Sequence, residues 1–208
     1  MARPTLTPEE VETFRTRLCE VAMERIAEHG YDGLSLRGLT EALGCSYAMP
    51  YRYFRNKQHI FAAVRALAYD RFAEALERGV ERSAGDFEQR LPDMVQAYVH
   101  FAKTAPHEYK LICELGLPGP DRHPEYWPKE LRSWQIWLSE VEAAVDQGMV
   151  VGDPTTIAHV LWAGLHGAIS LHLGGKLILG LDLDALAMAV TDALVAAFRS
   201  DQPKGPPR

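Results

Sequence analysis

Cysteine is scarce in this 208-residue sequence, and Cys19, Cys45 and Cys113 form no CxxC pair. They also lack the short spacing to histidine that zinc sites use, so the sequence predicts neither a zinc site nor a disulfide framework. We therefore expect no metal and no cofactor. A signal peptide is missing too, because the opening residues MARPTLTPEEVETF lack a long apolar run and carry acids that transit peptides avoid. Reduced thiols without an export signal lead us to expect a cytoplasmic protein.

Strand signals and enzyme motifs are also missing. Alternation of apolar and polar residues is limited to short ambiguous runs such as residues 176–181. The nucleophile motif GxSxG, the phosphate-binding P-loop and the metalloprotease motif HExxH do not occur, and no cysteine and histidine are paired for catalysis. The eight histidines allow acid–base chemistry, but no constellation of residues directs it. We expect a protein that is not an enzyme and has no catalytic residues.

Charged residues are absent from residues 154–175, a stretch long enough to span a bilayer. Its polar side chains are Thr155, Thr156, His159, His166, Ser170 and His172. A helix facing lipid rarely carries so many polar groups, whereas a helix at a protein interface can. We interpret the stretch as an interface helix and expect no membrane partner. His159 and His166 share a helical face, but without nearby carboxylates or cysteines they do not predict a metal site.

The net charge of −6 is unusual for a nucleic-acid binder, yet the charge is unevenly distributed. Residues 34–65 contain five basic side chains and one acidic one, Glu41, which gives this segment a net charge of +4. The basic residues are Arg37, Arg52, Arg55, Lys57 and Arg65. A local basic patch on an acidic protein is typical of a small nucleic-acid contact surface, although chance clustering gives the same count.

Helix signals fill the first eighty residues. A capping threonine, a proline and two glutamates at residues 7–10 predict the start of a first helix over residues 8–29. Ser35 and Gly44 bound a second helix of about two turns. Asn56 caps a long helix, the fourth after a short one that begins at Ser46, and its apolar residues follow helical spacing.

Helical periodicity continues through the remainder of the chain. Further helices are predicted over residues 86–105, with a bend or late start at Pro92, and over 106–115, 125–147, 154–175 and 182–199. The fold class is therefore all-α.

The stretch GCSYAMPYRYF has the form of the turn and second helix of a helix-turn-helix. We predict a short helix capped by Ser46, in which Pro50 takes the fourth position and removes one hydrogen bond near the helix start. Such a helix enters the major groove of DNA with its first turns and directs backbone N–H groups at phosphates.

Three aromatic side chains surround Arg52 at the end of this stretch. Phe54 is expected to turn inward and hold the reading helix in place. Tyr51 and Tyr53 either donate to phosphates through their hydroxyls or pack as ordinary core residues.

The combined pattern resembles the DNA-binding domain of TetR-type transcription regulators over residues 11–61. The resemblance rests on residues 30–37, on GCSYAMPYRYF and on the capped lysine within residues 55–58. In addition, residues 161–168, LWAGLHGA, are similar to the W-x-x-x-H-G motif of one C-terminal subgroup of this family.

The resemblance implies a DNA-binding regulator, most often a repressor, that binds a palindromic operator in double-stranded DNA as a homodimer. The DNA-binding residues that it implies are Ser35, Arg37, Ser46, Tyr47, Ala48, Met49, Tyr51, Arg52, Tyr53 and Lys57. Tyr47, Ala48 and Met49 are implied to face base edges. Arg37 is implied to contact a base or a phosphate. Tyr47 and Pro50 depart from the family pattern, in which a small or cationic residue and a leucine are common.

The charge-free helix and the last helix predict a homodimer. They are more apolar than two surface helices of a monomer need to be, and pairing them with the same helices of a second chain forms a four-helix bundle. Gly164 and Gly167 permit the close approach of another helix, and Trp162 can pack on His166 one turn later.

Aromatic residues of the C-terminal part predict a pocket for an unknown small-molecule effector, since apolar walls with a few polar groups suit such ligands. The candidate ligand-binding residues are Tyr98, Phe101, Tyr109, Cys113, Trp127, Trp134, Trp137, Trp162 and His166. Ordinary packing of a helical core accounts for the same residues and stays an alternative for each.

We thus predict a helix-turn-helix DNA-binding domain over residues 1–60, a helical ligand-binding and dimerisation domain over residues 61–200, and a disordered tail over residues 201–208. The expected function is transcription regulation with release from DNA by a ligand. The alternatives are an enzyme, or a helical small-molecule binding protein without DNA-binding activity. Affinity for DNA falls steeply with rising salt, and this dependence distinguishes a DNA-binding protein from an enzyme and from a small-molecule binding protein.

Overall fold

The computed structural model describes residues 7–113 and 124–199, and the predicted tail at residues 201–208 lies outside these ranges. Most of the described chain is helical, which confirms the all-α prediction, and β structure there is limited to one isolated bridge between Val150 and Arg199. The helices are α1 Pro8–Gly33, α2 Leu36–Leu43, a short 3₁₀ helix Pro50–Arg52, α3 Lys57–Arg82, α4 Phe87–Thr104, α5 Pro106–Cys113, α6 Trp127–Asp146, α7 Pro154–Leu173 and α8 Leu183–Phe198.

Local capping signals determine the ends of the first two helices. The Thr7 hydroxyl accepts from the Glu10 backbone N–H at 3.2 Å, and the Glu10 carboxylate accepts from the Thr7 N–H at 2.8 Å. This reciprocal pair confirms the predicted start of α1. The Ser35 hydroxyl accepts from the Gly38 N–H at 3.1 Å and starts α2. Gly44 ends α2 in the left-handed region with φ 63°, as a helix C-terminal glycine commonly does.

The end of α1 lies slightly beyond the predicted one at His29. Helical hydrogen bonding extends to Gly33, but Gly30 interrupts it with φ 71° and ψ 177°. A residue without Cβ adopts this conformation at little cost, so the regular part of the helix still ends at the predicted glycine.

The predicted α-helix beginning at Ser46 is wrong. The backbone turns at Tyr47, the Met49 N–H donates to the Ser46 carbonyl at 2.9 Å, and a 3₁₀ helix follows over Pro50–Arg52. The reason is Pro50, which has no N–H to donate to the Ser46 carbonyl four residues earlier and whose ring crowds that carbonyl. Proline is instead accommodated as the first residue of the 3₁₀ helix.

Side-chain caps also start α3 and α4. Asn56 Oδ1 accepts from the His59 backbone N–H at 2.8 Å, as predicted. Asp86 and Gln89 form a reciprocal capping box at the start of α4. Pro92 lies inside α4, so this helix begins before the proline rather than after it.

The helices α7 and α8 approach each other closely at Gly164. A Cβ atom on Gly164 would lie 2.6 Å from Leu194 Cδ1 and 2.7 Å from Val190 Cγ1, so a larger residue would force these side chains to move. The prediction for Gly164 is confirmed, whereas a Cβ on Gly167 would have no neighbour within 4 Å in this chain. None of the described helices is both long and apolar enough to cross a lipid bilayer.

The chain divides into two compact units. The first unit combines Met1–Arg71 with His107–Leu131, and the second combines Phe72–Pro106 with Arg132–Arg208. Core residues of the first unit include Leu18, Leu34, Leu39, Phe54 and Ile60. Core residues of the second include Leu76, Phe87, Met94, Ile157, Leu161 and Leu165. The division into a DNA-binding domain and a ligand-binding and dimerisation domain after residue 60 stays a prediction.

Candidate nucleic-acid interface

The turn between α2 and α3 presents an aromatic and cationic surface, and we refer to residues 46–54 as the reading segment. Tyr47 and Tyr51 leave 58% and 47% of their surface accessible, although both are large. Of the residues predicted to bind DNA, those that are exposed are Ser35, Arg37, Ser46, Tyr47, Ala48, Tyr51 and Arg52. Those that are half-buried are Met49, Tyr53 and Lys57. All ten lie in the first unit, and none of them is buried.

Tyr47 and Tyr51 form a pair on this surface, with ring centroids 6.0 Å apart. A hydrogen bond between their side chains raises the pKa of the Tyr51 phenol above its ordinary value. A phenol is protonated at neutral pH, so the Tyr51 hydroxyl can donate to a phosphate oxygen in place of Tyr47.

Arg37 is held by a neighbouring acid on α2. Its Nε donates to Glu41 Oε1 at 2.9 Å, and this hydrogen bond together with the carboxylate charge raises the pKa of Arg37. Because exposed ion pairs contribute little to stability, Arg37 can exchange Glu41 for a base or a phosphate at small cost.

Phe54 anchors the end of the reading segment and is only 2% exposed, which confirms its predicted inward orientation. The Arg15 guanidinium lies 4.6 Å from the centroid of the Phe54 ring. Arg15 Nη1 also donates to the Tyr53 carbonyl at 3.0 Å, and the Tyr53 ring packs on Phe14 at 4.6 Å. The helix α1 therefore holds both the backbone and the side chains at this end of the segment.

Arg65, which contributes to the net charge of residues 34–65, is half-buried and contacts two aromatic rings. Its guanidinium lies 4.4 Å from the ring centroid of Tyr126 and 5.9 Å from that of Tyr69. The faces of aromatic rings attract a cation, so Tyr126 and Tyr69 hold the Arg65 guanidinium. The remaining patch has four cations and one carboxylate, a net charge of +3.

The nine candidate ligand-binding residues are distributed over both units. Tyr109, Cys113 and Trp127 belong to the first unit, where Tyr109 is buried and the other two are half-buried. Those in the second unit are Tyr98, Phe101, Trp134, Trp137, Trp162 and His166.

Three of the second group form a packed aromatic core. The Phe72 ring lies 5.1 Å from the rings of both Tyr98 and Phe101. Trp137 lies 6.4 Å from Tyr98, and its indole N–H donates to the Ala158 carbonyl at 3.3 Å. Dense packing of this kind gives these residues a structural role in the helical core.

Trp134, Trp162 and His166 form a more exposed cluster with His159. The ring centroids of Trp134 and His159 lie 4.2 Å apart. Trp162 stacks on His166 at 5.6 Å with an interplanar angle of 22°, which confirms the predicted packing of indole on imidazole. Partial burial lowers the pKa of His166, so its ring is neutral at pH 7.

A surface cavity of about 380 Å³ opens elsewhere in the second unit, between α3, α4 and α8. Its lining residues are Arg82, Val95, Gln96, Val99, His100, Asp184, Ala185 and Met188. Its volume is within the range of small-molecule sites, yet none of the candidate ligand-binding residues lines it. Sequence patterns gave no sign of this cavity, because three helices distant in sequence enclose it.

Sequence reasoning also missed Arg15 and Glu125. Arg15 Nη2 donates to Glu125 Oε1 at 2.5 Å, and the two residues are 110 positions apart in the chain. No local spacing can reveal a pair of this separation, so only the fold identifies Arg15 as the support of the reading segment.

Comparison with known families assigns both parts of the chain. Residues 18–64 match the family described as "Bacterial regulatory proteins, tetR family". Residues 91–194, half of the chain, match the family described as "Tetracyclin repressor-like, C-terminal domain". The first match contains the whole reading segment, and the second contains α5, α6 and α7.

Individual relatives agree with this assignment. The HTH-type transcriptional regulator Rv1816 of Mycobacterium tuberculosis is 23% identical over 193 residues, covering 79% of this chain and 82% of that protein. The HTH-type transcriptional repressor AcnR of Corynebacterium diphtheriae is 32% identical over 73 residues, covering 35% of this chain and 38% of the repressor. A solved structure of a protein with unknown function from Rhodococcus sp. RHA1 has a TM-score of 0.78 and 28% identity, covering 89% of this chain and 95% of the other. The chain is a member of the TetR family of bacterial regulatory proteins and a DNA-binding transcription regulator.

Proposed function

We propose that this regulator is a homodimeric repressor that binds a palindromic operator through two reading segments and leaves DNA when a small molecule binds. The observation that carries the proposal is the exposure of Tyr47, Tyr51 and Arg52 on a segment whose other end is fixed by the buried Phe54. Exposed aromatic and cationic side chains on a rigid support are suited to a polar, negatively charged partner.

The two halves of the reading segment contact different parts of the DNA. The turn residues Tyr47, Ala48 and Met49 contact base edges in the major groove, because they form the turn that precedes the 3₁₀ helix and none of them is buried. The phosphates are contacted by the Tyr51 hydroxyl and by Arg52, and the N-terminus of α3 directs backbone N–H groups at the same strand.

The exposed faces of α7 and α8 support the dimer. Exposed residues of α7 are all uncharged and include Trp162, Ala163, Gly167, Ser170 and Leu171. The exposed face of α8 is rich in alanine, with Ala185, Ala189, Ala193, Ala196 and Ala197, and its charged residues are Asp184 and Asp192. Uncharged and small side chains allow helices to pack closely, so a second copy of the chain is the partner that covers them. A two-fold dimer presents two reading segments, which requires a palindromic operator.

The name of the relative AcnR describes a repressor and supports the same role for this chain. Release follows if a ligand binds better to a conformation in which the two reading segments no longer match successive major grooves. The ligand shifts the equilibrium only by its difference in affinity for the two conformations. The dimer persists throughout, the protein acts in the cytoplasm, and it has no enzymatic activity of its own.

Selection of binding sites from random duplex DNA tests the proposal with the full-length protein. The enriched sequences are expected to be palindromic, with half-sites about one helical turn apart or more. Failure of any sequence to be enriched would contradict the proposal. For a compound found to release the DNA, gel filtration distinguishes the mechanisms, since a monomer on ligand addition would contradict release without dissociation.

Replacing Arg52 by alanine is expected to weaken operator binding about tenfold and to reduce the slope of log affinity against log salt by about one, because one phosphate contact is lost. Fluorescence anisotropy at several salt concentrations measures both quantities. Arg78→Ala is the control, because Arg78 is also an exposed arginine and pairs with Glu74 on α3, at 3.7 Å, in the second unit. Equal affinities of the two variants would show that the docking surface is misplaced.

A further inference from the structure

A cluster of charged side chains joins the end of the reading segment to a distant part of the sequence. Glu125 Oε1 accepts from Arg15 Nη2 at 2.5 Å, and Glu125 Oε2 lies 3.4 Å from His59 Nε2. Arg15 in turn donates to the Tyr53 carbonyl at 3.0 Å and covers the ring of Phe54. All five residues belong to the first unit.

His59 also contacts the buried Phe54 ring. Its ring meets the edge of the Phe54 ring with centroids 5.8 Å apart and an interplanar angle of 78°. His59 Nδ1 also accepts from the Arg55 backbone N–H at 3.3 Å. Glu125 therefore contacts both side chains that fix Phe54, and those side chains also bond to the backbone on each side of it.

The partial burial of this cluster makes the ion pair effective. The side chains of Arg15 and Glu125 are 22% and 28% exposed, so water and salt screen their attraction less than they screen a surface pair. Loss of the carboxylate leaves the Arg15 charge partly buried without its nearest anion, and Arg15 then gains by moving toward solvent. Such a movement breaks its bond to the Tyr53 carbonyl and frees the end of the reading segment.

We infer that Glu125 is a positioning residue for DNA binding. This inference rests on the proposed role of the reading segment. The Glu125 carboxylate fixes Arg15 and His59, and these two residues fix the backbone and the aromatic anchor that hold Tyr51 and Arg52 in one arrangement. A segment ordered before binding loses less conformational freedom on the DNA and binds it more tightly. Glu125 itself makes no contact with DNA.

Through its position in the sequence, Glu125 also couples the region of the C-terminal family match to that of the N-terminal match. Glu125 lies within the C-terminal family match, residues 91–194, whereas Phe54 and His59 lie within the N-terminal match, residues 18–64. The contacts of Glu125 therefore connect the C-terminal part of the sequence to the reading segment. Because coupling is reciprocal, DNA binding must in turn stabilise the contacts of Glu125.

The substitution Glu125→Gln keeps the shape of the side chain and removes its charge. Operator affinity, measured by anisotropy on a duplex obtained by site selection, is expected to fall roughly tenfold. The salt slope stays that of the wild type, because no phosphate contact is lost. Glu12→Gln is the matched control: Glu12 also faces Arg15, but at 4.0 Å and with a side chain 76% exposed, so wild-type affinity is expected.

A double-mutant cycle with Arg15→Gln tests whether Glu125 acts through Arg15. The double variant is expected to bind no more weakly than the weaker of the two single variants. Losses that simply add, or wild-type affinity in Glu125→Gln, would overturn the inference. A wild-type protein that selects no DNA sequence would instead overturn the proposed function.

Hydrogen exchange in the wild-type protein provides a second test that no folding defect can obscure. Peptides covering residues 124–131 are expected to exchange several-fold more slowly when the operator is bound, because binding stabilises the Glu125 contacts. Identical exchange with and without operator would overturn the coupling.

Discussion

Residues of the same type differ in burial, and the sequence alone does not show this difference. Cys19 is buried in the first unit, and burial raises the pKa of its thiol to about 12. Cys45 is half-buried and directly precedes the reading segment. Arg52 is exposed, whereas Arg65 carries the same charge and lies over the ring of Tyr126. The type of each residue defines its chemistry, but its exposure decides whether a partner can reach it.

Alkylation with iodoacetamide at pH 8 tests the difference in burial between Cys19 and Cys45. Cys45 is expected to react and Cys19 to stay unlabelled, because the thiolate is the reactive form and Cys19 remains a thiol. Saturating operator should slow the labelling of Cys45, since DNA covers the neighbouring reading segment. Mass spectrometry of the peptides measures both rates, with Cys19 as internal control. A Cys45 rate that is unaffected by operator would contradict DNA contact at this turn.

At the scale of elements, helix ends follow from local chemistry. The caps at Thr7, Ser35 and Asn56 were predictable, because a side-chain oxygen and a backbone N–H three residues later lie close together in any helix start. The reading segment was not predicted correctly. Its backbone follows from the missing N–H of Pro50, which converts an expected α-helix into a turn and a 3₁₀ helix.

Gly44 connects α2 to the reading segment in the left-handed region, and a Cβ there would meet no atom within 4 Å. Gly44→Ala is therefore expected to lower the free energy of unfolding by about 1–2 kcal/mol through backbone strain alone. Gly44→Asn is the control, because asparagine tolerates this conformation, and a smaller loss is expected. Urea denaturation measures both variants. Equal losses would indicate that side-chain contacts, not the backbone conformation, determine the effect.

At the scale of the whole molecule, the two functions occupy different units. The reading segment belongs to the first unit, whereas the exposed faces of α7 and α8 belong to the second. The proposed binding of a palindromic operator by a dimer requires both, because a single reading segment would contact only one half of such a site. On this proposal, affinity for the operator depends on residues that make no contact with DNA.

Ala163→Arg places a charge on the exposed face of α7. The dimer is expected to dissociate at concentrations where the wild type stays dimeric, because an unpaired charge is costly in a closely packed interface. Operator affinity should fall with it, since the two reading segments are no longer linked. Sedimentation velocity and anisotropy measure the two effects. Ser139→Arg, on the exposed face of α6, is the control and should leave both unchanged, while a dimeric Ala163→Arg would place the interface elsewhere.

The sequence by itself determined the helical class, most helix ends, the charge-free helix α7 and the cationic, tyrosine-rich stretch that resembles the DNA-binding segment of TetR-type regulators. These features depend on residues a few positions apart, whose interactions are fixed by backbone geometry. Only the tertiary structure decided that Arg65 turns to Tyr126, that the cavity lies between α3, α4 and α8, and that Glu125 supports Arg15. Contacts between residues 110 positions apart arise from packing, and local periodicity carries no information about them.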